Sequence, residues 1–99
     1  MIITLLEAHV APERESALQA AYDEAARDPL PRGLVRSALL RATDDRTSWR
    51  IETMWESAEA LAAMRAGGGT PRGILIFRAA GAEPTVSILE VVASIASAR

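Results

Sequence analysis

The sequence predicts an α+β domain, with a four-stranded antiparallel sheet and helices on one face of it. Three observations predict this. Segments rich in branched apolar residues alternate with segments of helical period. The two middle strand segments are separated only by a short polar turn. Apart from Gly73, proline and glycine fall at the boundaries of these segments rather than inside them.

Residues 2–10 read as the first strand. Ile3, Leu5, Glu7 and His9 face one way, and Ile2, Thr4, Leu6, Ala8 and Val10 the other. Pro12 suits a helix start, with Glu13 and Glu15 in the first turn. Leu18, Ala21, Tyr22 and Ala25 repeat at helical spacing, and Pro29 and Pro31 stop the run, so the first helix spans about 12–28. Gly33 opens a second strand, Leu34 to Arg41. Thr43-Asp44-Asp45-Arg46 makes the turn into a third, Ser48 to Glu56. Ser57 caps a second helix with Leu61, Ala62 and Met64 on its apolar side, ended by Gly67-Gly68-Gly69. Thr70 as cap and Pro71 at the first position begin a short extra helix, with Ile74, Leu75 and Phe77 inward and Gly81 as its stop. A strand over 73–78 is the other reading of so short an apolar run. Thr85–Val92 is the last strand. The resulting order, β-α-β-β-α-(α)-β, is the split βαβ or ferredoxin-like pattern, in one domain over 1–99.

Composition narrows the chemistry. The chain has 99 residues and no cysteine, which excludes thiolate catalysis and Cys-ligated metals. All eleven basic residues are arginine, which excludes lysine Schiff bases. A single histidine argues against a zinc enzyme, and a net charge of −2 against nucleic-acid binding. No apolar run approaches the roughly 20 residues of a membrane helix. The first residues lack the basic stretch of a signal peptide, so the expectation is a cytoplasmic protein. A chain this short buries only roughly 60–65% of its unfolded surface, which makes association with a second copy a plausible supplement to stability.

The most specific stretch is Arg50-Ile51-Glu52-Thr53-Met54-Trp55-Glu56-Ser57-Ala58-Glu59-Ala60-Leu61. It resembles the junction of strand three and helix two in the antibiotic biosynthesis monooxygenase family, and Asp28-Pro29-Leu30-Pro31-Arg32-Gly33 resembles that family's link into strand two. The resemblance implies a dimeric α/β barrel, in which two sheets pack face to face and each subunit keeps a pocket between its sheet and its helices. It implies, for some members, oxidation of polycyclic phenols by O₂ without metal, flavin or other cofactor. Related members degrade haem with a histidine after helix two. Residues 61–80 here contain none, which argues against that reaction.

Five residues are candidate site residues. Trp55 matches the motif's tryptophan and shares a strand face with Trp49; both are candidates for stacking on a substrate ring. Tyr22, on the apolar stripe of the first helix, offers a hydroxyl to a substrate oxygen. Glu7 and His9 point the same way and form a candidate general-base pair, provided that their face is also that of Trp55. The expected function is a cofactor-independent monooxygenase of a small or polycyclic phenolic compound. The alternative is a non-catalytic homodimer of the same fold that binds a small ligand or is purely structural.

Overall fold

A computed structural model describes residues 1–97. The branched run at the start forms β1 (Ile2–His9), and a 3-10 turn (Pro12–Arg14) leads into α1 (Glu15–Arg27). Then come β2 (Leu34–Arg41), β3 (Ser48–Trp55), α2 (Ala58–Ala66), α3 (Arg72–Ala79) and β4 (Thr85–Glu90). The sheet order is β2-β3-β1-β4 and every pairing is antiparallel. This is the ferredoxin-like arrangement expected from the chain order.

Local chemistry explains most boundaries. Ser57 caps α2 by accepting a hydrogen bond from the Ala60 N–H at 3.1 Å. Gly81 sits at φ 74°, beyond the reach of most side chains, and closes α3. The N–H of Ala82 returns to the Phe77 carbonyl and that of Gly81 to Arg78, both at 3.0 Å, the paired bonds of a Schellman stop.

Four expectations need correction. The first helix is not continuous from residue 12: its opening turn is 3-10, closed by a bond from the Arg14 N–H to the Ala11 carbonyl. Thr70 does not cap α3; Pro71 occupies the cap position, and no side chain accepts there. Leu75 is half exposed, whereas Ile76 is buried. With the helix starting at Arg72, the stripe facing the protein is Ile76, Phe77 and Ala80, and Leu75 falls outside it. The last strand ends at Glu90 rather than Val92.

The core fills the space between the helices and one sheet face. Leu6, Val10, Leu18, Trp49, Ile51, Ile76, Phe77 and Ala80 form it. Burying a side chain such as Phe77, which is fully enclosed, stabilises the fold by about 1.5–3 kcal/mol. Close approach also matters. A Cβ on Gly73 would meet a Leu6 methyl at 2.9 Å, so the glycine lets α3 settle directly on β1.

Candidate functional site: a cavity beneath the helices

Register decides which side chains meet under the helices. Ile2, Thr4, Leu6 and Ala8 of β1 stand opposite Trp55, Thr53, Ile51 and Trp49 of β3. Opposed residues share a face, so this set forms the inner wall. β2 joins it with a bulge between Leu34 and Arg36, after which Ser37 pairs with Thr53. The bulge reverses the alternation along β2. Leu34 and Ser37 turn inward, and Arg36 turns outward, its guanidinium 3.9 Å from Glu52.

Between this wall and the helices lies a cavity of about 420 Å³. Its floor includes Thr4, Leu6, Ile51, Thr53 and Trp55. The helices contribute Tyr22 and Ala25 from α1, Leu61, Met64 and Arg65 from α2, and Gly73 and Ile74 from α3. The lining is mostly apolar, the usual character of a small-molecule site. Its polar groups are hydroxyls and arginines. Arg36, Arg65 and Arg72 belong to the lining and no Asp or Glu does, although acidic residues outnumber basic ones in the chain, 13 to 11. Arg72 donates to the carbonyls of Ala25 (3.3 Å) and Pro29 (3.1 Å), tying the end of α1 to the start of α3.

The polar contacts along the wall are specific. The Trp55 indole N–H donates to Thr4 Oγ1 at 3.2 Å, which fixes the ring in the wall. The Tyr22 hydroxyl donates to Ser37 Oγ at 3.1 Å, and Thr53 Oγ1 donates to the same oxygen at 3.2 Å.

The five candidate residues therefore separate. Trp55 and Tyr22 line the cavity. Trp49 shares the inner face but lies in the packed core, outside the cavity lining, with the Arg41 guanidinium 5.3 Å from its ring centroid. Its Nε1 is buried without a partner. Glu7 and His9 share a face, as alternation requires, but it is the opposite one. Glu7 pairs across the sheet with Arg50, its carboxylate 3.3 Å from the guanidinium Nε. His9 is exposed beside Thr47 (Nδ1 to Oγ1, 3.1 Å) and Asp45. The convergence of Glu7, His9 and Trp55 does not form, because odd-numbered residues of β1 stand opposite even-numbered residues of β3.

Thr4, Ser37 and Thr53 were not anticipated. Thr4 and Thr53 were within reach of strand alternation, since each alternates with the apolar wall residues. Ser37 was not, because its direction depends on the β2 bulge.

A family model for antibiotic biosynthesis monooxygenases matches residues 1–68, and the chain belongs to this family. Solved structures agree in fold. A proposed antibiotic biosynthesis monooxygenase from Deinococcus radiodurans superposes with a TM-score of 0.72 at 15% identity, covering 98% of both chains. A MhuD mutant with two manganese protoporphyrin IX molecules bound per active site gives 0.73 at 18% identity, covering 98% of this chain and 100% of that one. SnoaB, a cofactor-independent oxygenase from Streptomyces nogalater, gives 0.64 at 21% identity, with 97% of each chain covered. No curated protein matches the sequence.

The porphyrin in one of these relatives raises the question of fit. The lining here offers neither His nor Cys to an iron atom, and the Tyr22 hydroxyl is turned onto Ser37. No cluster of His, Cys, Asp and Glu suited to a metal occurs among the described residues. The cavity's residues do not fit a ligated haem. Among the described residues no helix is long and apolar enough to cross a membrane.

Proposed function

We propose that the protein is a monooxygenase that oxidises a small phenolic or anthrone-like aromatic compound with O₂, within the cavity under its helices and without a resident cofactor. The observation that carries this reading is the cavity itself. It joins a fixed tryptophan face, an apolar lining and a cluster of hydroxyls, and it belongs to a chain of the monooxygenase family.

The chemistry asked of the protein is limited. The substrate supplies its own electrons. A ring-activated CH₂ loses a proton, and the resulting anion gives an electron to O₂. The two radicals join in a C–O bond, and the peroxide loses water to leave a carbonyl. One oxygen atom stays on carbon and the other leaves as water, with both hydrogens of the CH₂ consumed. Trp55 and the apolar lining hold the ring and keep bulk water from the anion. Tyr22 and the wall hydroxyls receive the substrate oxygen, and the positive potential of Arg65 and Arg72 favours the anion. Glu7 and His9 take no part from the opposite face.

The working unit in this proposal is a cytoplasmic homodimer of one-domain chains, joined through the sheet faces that the helices leave open. That face carries Ile3, Leu5, Met54 and Leu89, together with the Glu7–Arg50 and Arg36–Glu52 pairs. Mixed apolar and paired charged groups of this kind suit a two-fold interface, where one patch meets its own copy.

Oxygen consumption with anthrone and naphthol substrates tests the reading. Turnover above the uncatalysed rate is expected, with a large loss in Trp55→Phe and none in Glu7→Gln or His9→Ala. Absence of turnover with every such substrate removes the proposal.

A further inference from the structure

We infer that Ser37, polarised by Tyr22 and Thr53, is the group that binds the ligand's oxygen and favours its anionic form. This rests on the cavity being the substrate site and adds to it which atom recognises the substrate.

The argument begins with proton counting. Tyr22, Ser37 and Thr53 form a cluster of three hydroxyls joined by two hydrogen bonds, and both bonds converge on Ser37 Oγ. Three hydroxyls carry three protons, and two bonds use two of them. One proton remains for a fourth partner whichever way each bond runs. With both Ser37 lone pairs occupied, that proton is the one on Ser37 Oγ. No other side chain or backbone group among the described residues takes it.

Position and electrostatics then select the ligand. Ser37 is an exposed residue of the cavity lining, on the same inner face as Trp55. Donors that already point at an oxygen strengthen the proton it gives onward, since hydrogen bonds in a chain polarise one another. An acceptor is therefore preferred there, and an anionic acceptor most of all, because hydrogen bonds to a charged form favour that form. No carboxylate lines the cavity to compete for the proton or to repel an anion. Thr4 is the rival donor. Its oxygen accepts from Trp55 alone, so it receives less polarisation, and Thr4 is buried whereas Ser37 is exposed.

Absorbance titration of 2-naphthol tests this without any turnover, with naphthalene as the probe that lacks the oxygen. In the wild type the bound naphthol should ionise about one pH unit lower than the free compound, a roughly tenfold preference for the anion. Ser37→Ala should abolish that shift and leave naphthalene affinity unchanged. Tyr22→Phe and Thr53→Val should each remove part of it. The inference is overturned if Ser37→Ala keeps the shift, if Thr4→Val and not Ser37→Ala abolishes it, or if the wild type binds naphthol no better than naphthalene. A full shift with no oxygen consumption would sink the monooxygenase reading and leave this one intact. Undiminished oxygen consumption by Ser37→Ala would do the reverse.

Discussion

The two faces of this sheet are built from the same strands, residue by residue in alternation, yet they have different chemistry. The inner face carries Thr4, Leu6, Trp49, Ile51, Thr53 and Trp55, all buried, with hydroxyls as its polar groups. The open face carries Ile3, Leu5 and Met54 half-buried, between the paired charges of Glu7 with Arg50 and Arg36 with Glu52. The difference follows from what each face can satisfy. Under the helices an ion would lose its hydration without a partner, so the buried polar side chains of the wall are neutral, and the arginines near it, such as Arg72 on two carbonyls and Arg41 on Glu15, are held by partners. On the open side each charge keeps a partner and contact with water. A titratable pair that looks catalytic in the sequence can therefore lie on the wrong side of a single layer of backbone.

Substitutions can break this comparison. The largest effect is expected where the inner face meets the helices. Phe77→Ala should lower stability by about 3–5 kcal/mol in urea unfolding, because a fully enclosed ring leaves a cavity. On the opposite side Leu5→Asp should leave the chain folded. Light scattering at micromolar concentration should then give one chain mass for the variant, against twice 10.6 kDa for the wild type. A wild-type mass of one chain would overturn the proposed dimer.

Gly33→Ala probes the seat of α2. Gly33 sits at φ 85°, and a Cβ there would lie 2.4 Å from the Cβ of Ala60. The left-handed backbone alone should cost about 1–3 kcal/mol, seen as a lower urea midpoint, and the clash should push α2 off the cavity and weaken naphthol binding. Glu7→Gln breaks a pair between two partly exposed groups, so its stability change should stay under about 1 kcal/mol. Its oxygen-consumption rate should stay within about twofold of wild type. A tenfold loss would return catalysis to the open face.

The smallest expected effect is on the pH dependence of stability. The Thr47 hydroxyl and N–H both bond Asp45, at 2.7 and 3.0 Å, and with His9 nearby they hold its carboxyl below the ordinary value of 3.8. A carboxyl lowered on folding adds stability above its unfolded value, and that stability is lost as the pH falls through the folded one. Asp45→Asn should therefore lower stability slightly at neutral pH, leave it nearly unchanged in strong acid, and so flatten the acid limb of the stability curve. A steepened acid limb in circular dichroism would contradict this.

Much of the fold was legible because periodicity and boundary residues agree. Ser57 caps where it was expected, Gly67 and Gly81 end their helices, and the hairpin joins β2 to β3 across a polar turn. The family signature around Trp55 was legible too. The site was less so. Alternation puts Glu7 and His9 on one face of β1 and Trp55 on one face of β3, but it does not say whether those faces coincide. That depends on which residue stands opposite which.

The sequence by itself determined the order of elements, the family, the apolar wall of β3 and the absence of thiol and lysine chemistry. These follow from local propensity and from residue identity, which need no partner strand. The tertiary structure alone decided the side. The β1–β3 register sends Glu7 and His9 away from the cavity, and one bulge in β2 turns Ser37 inward and Arg36 outward. Side chains on a strand alternate with period two, so a shift of one residue exchanges the two faces completely. In this protein that single residue puts Ser37, rather than Arg36, on the inner face opposite Thr53.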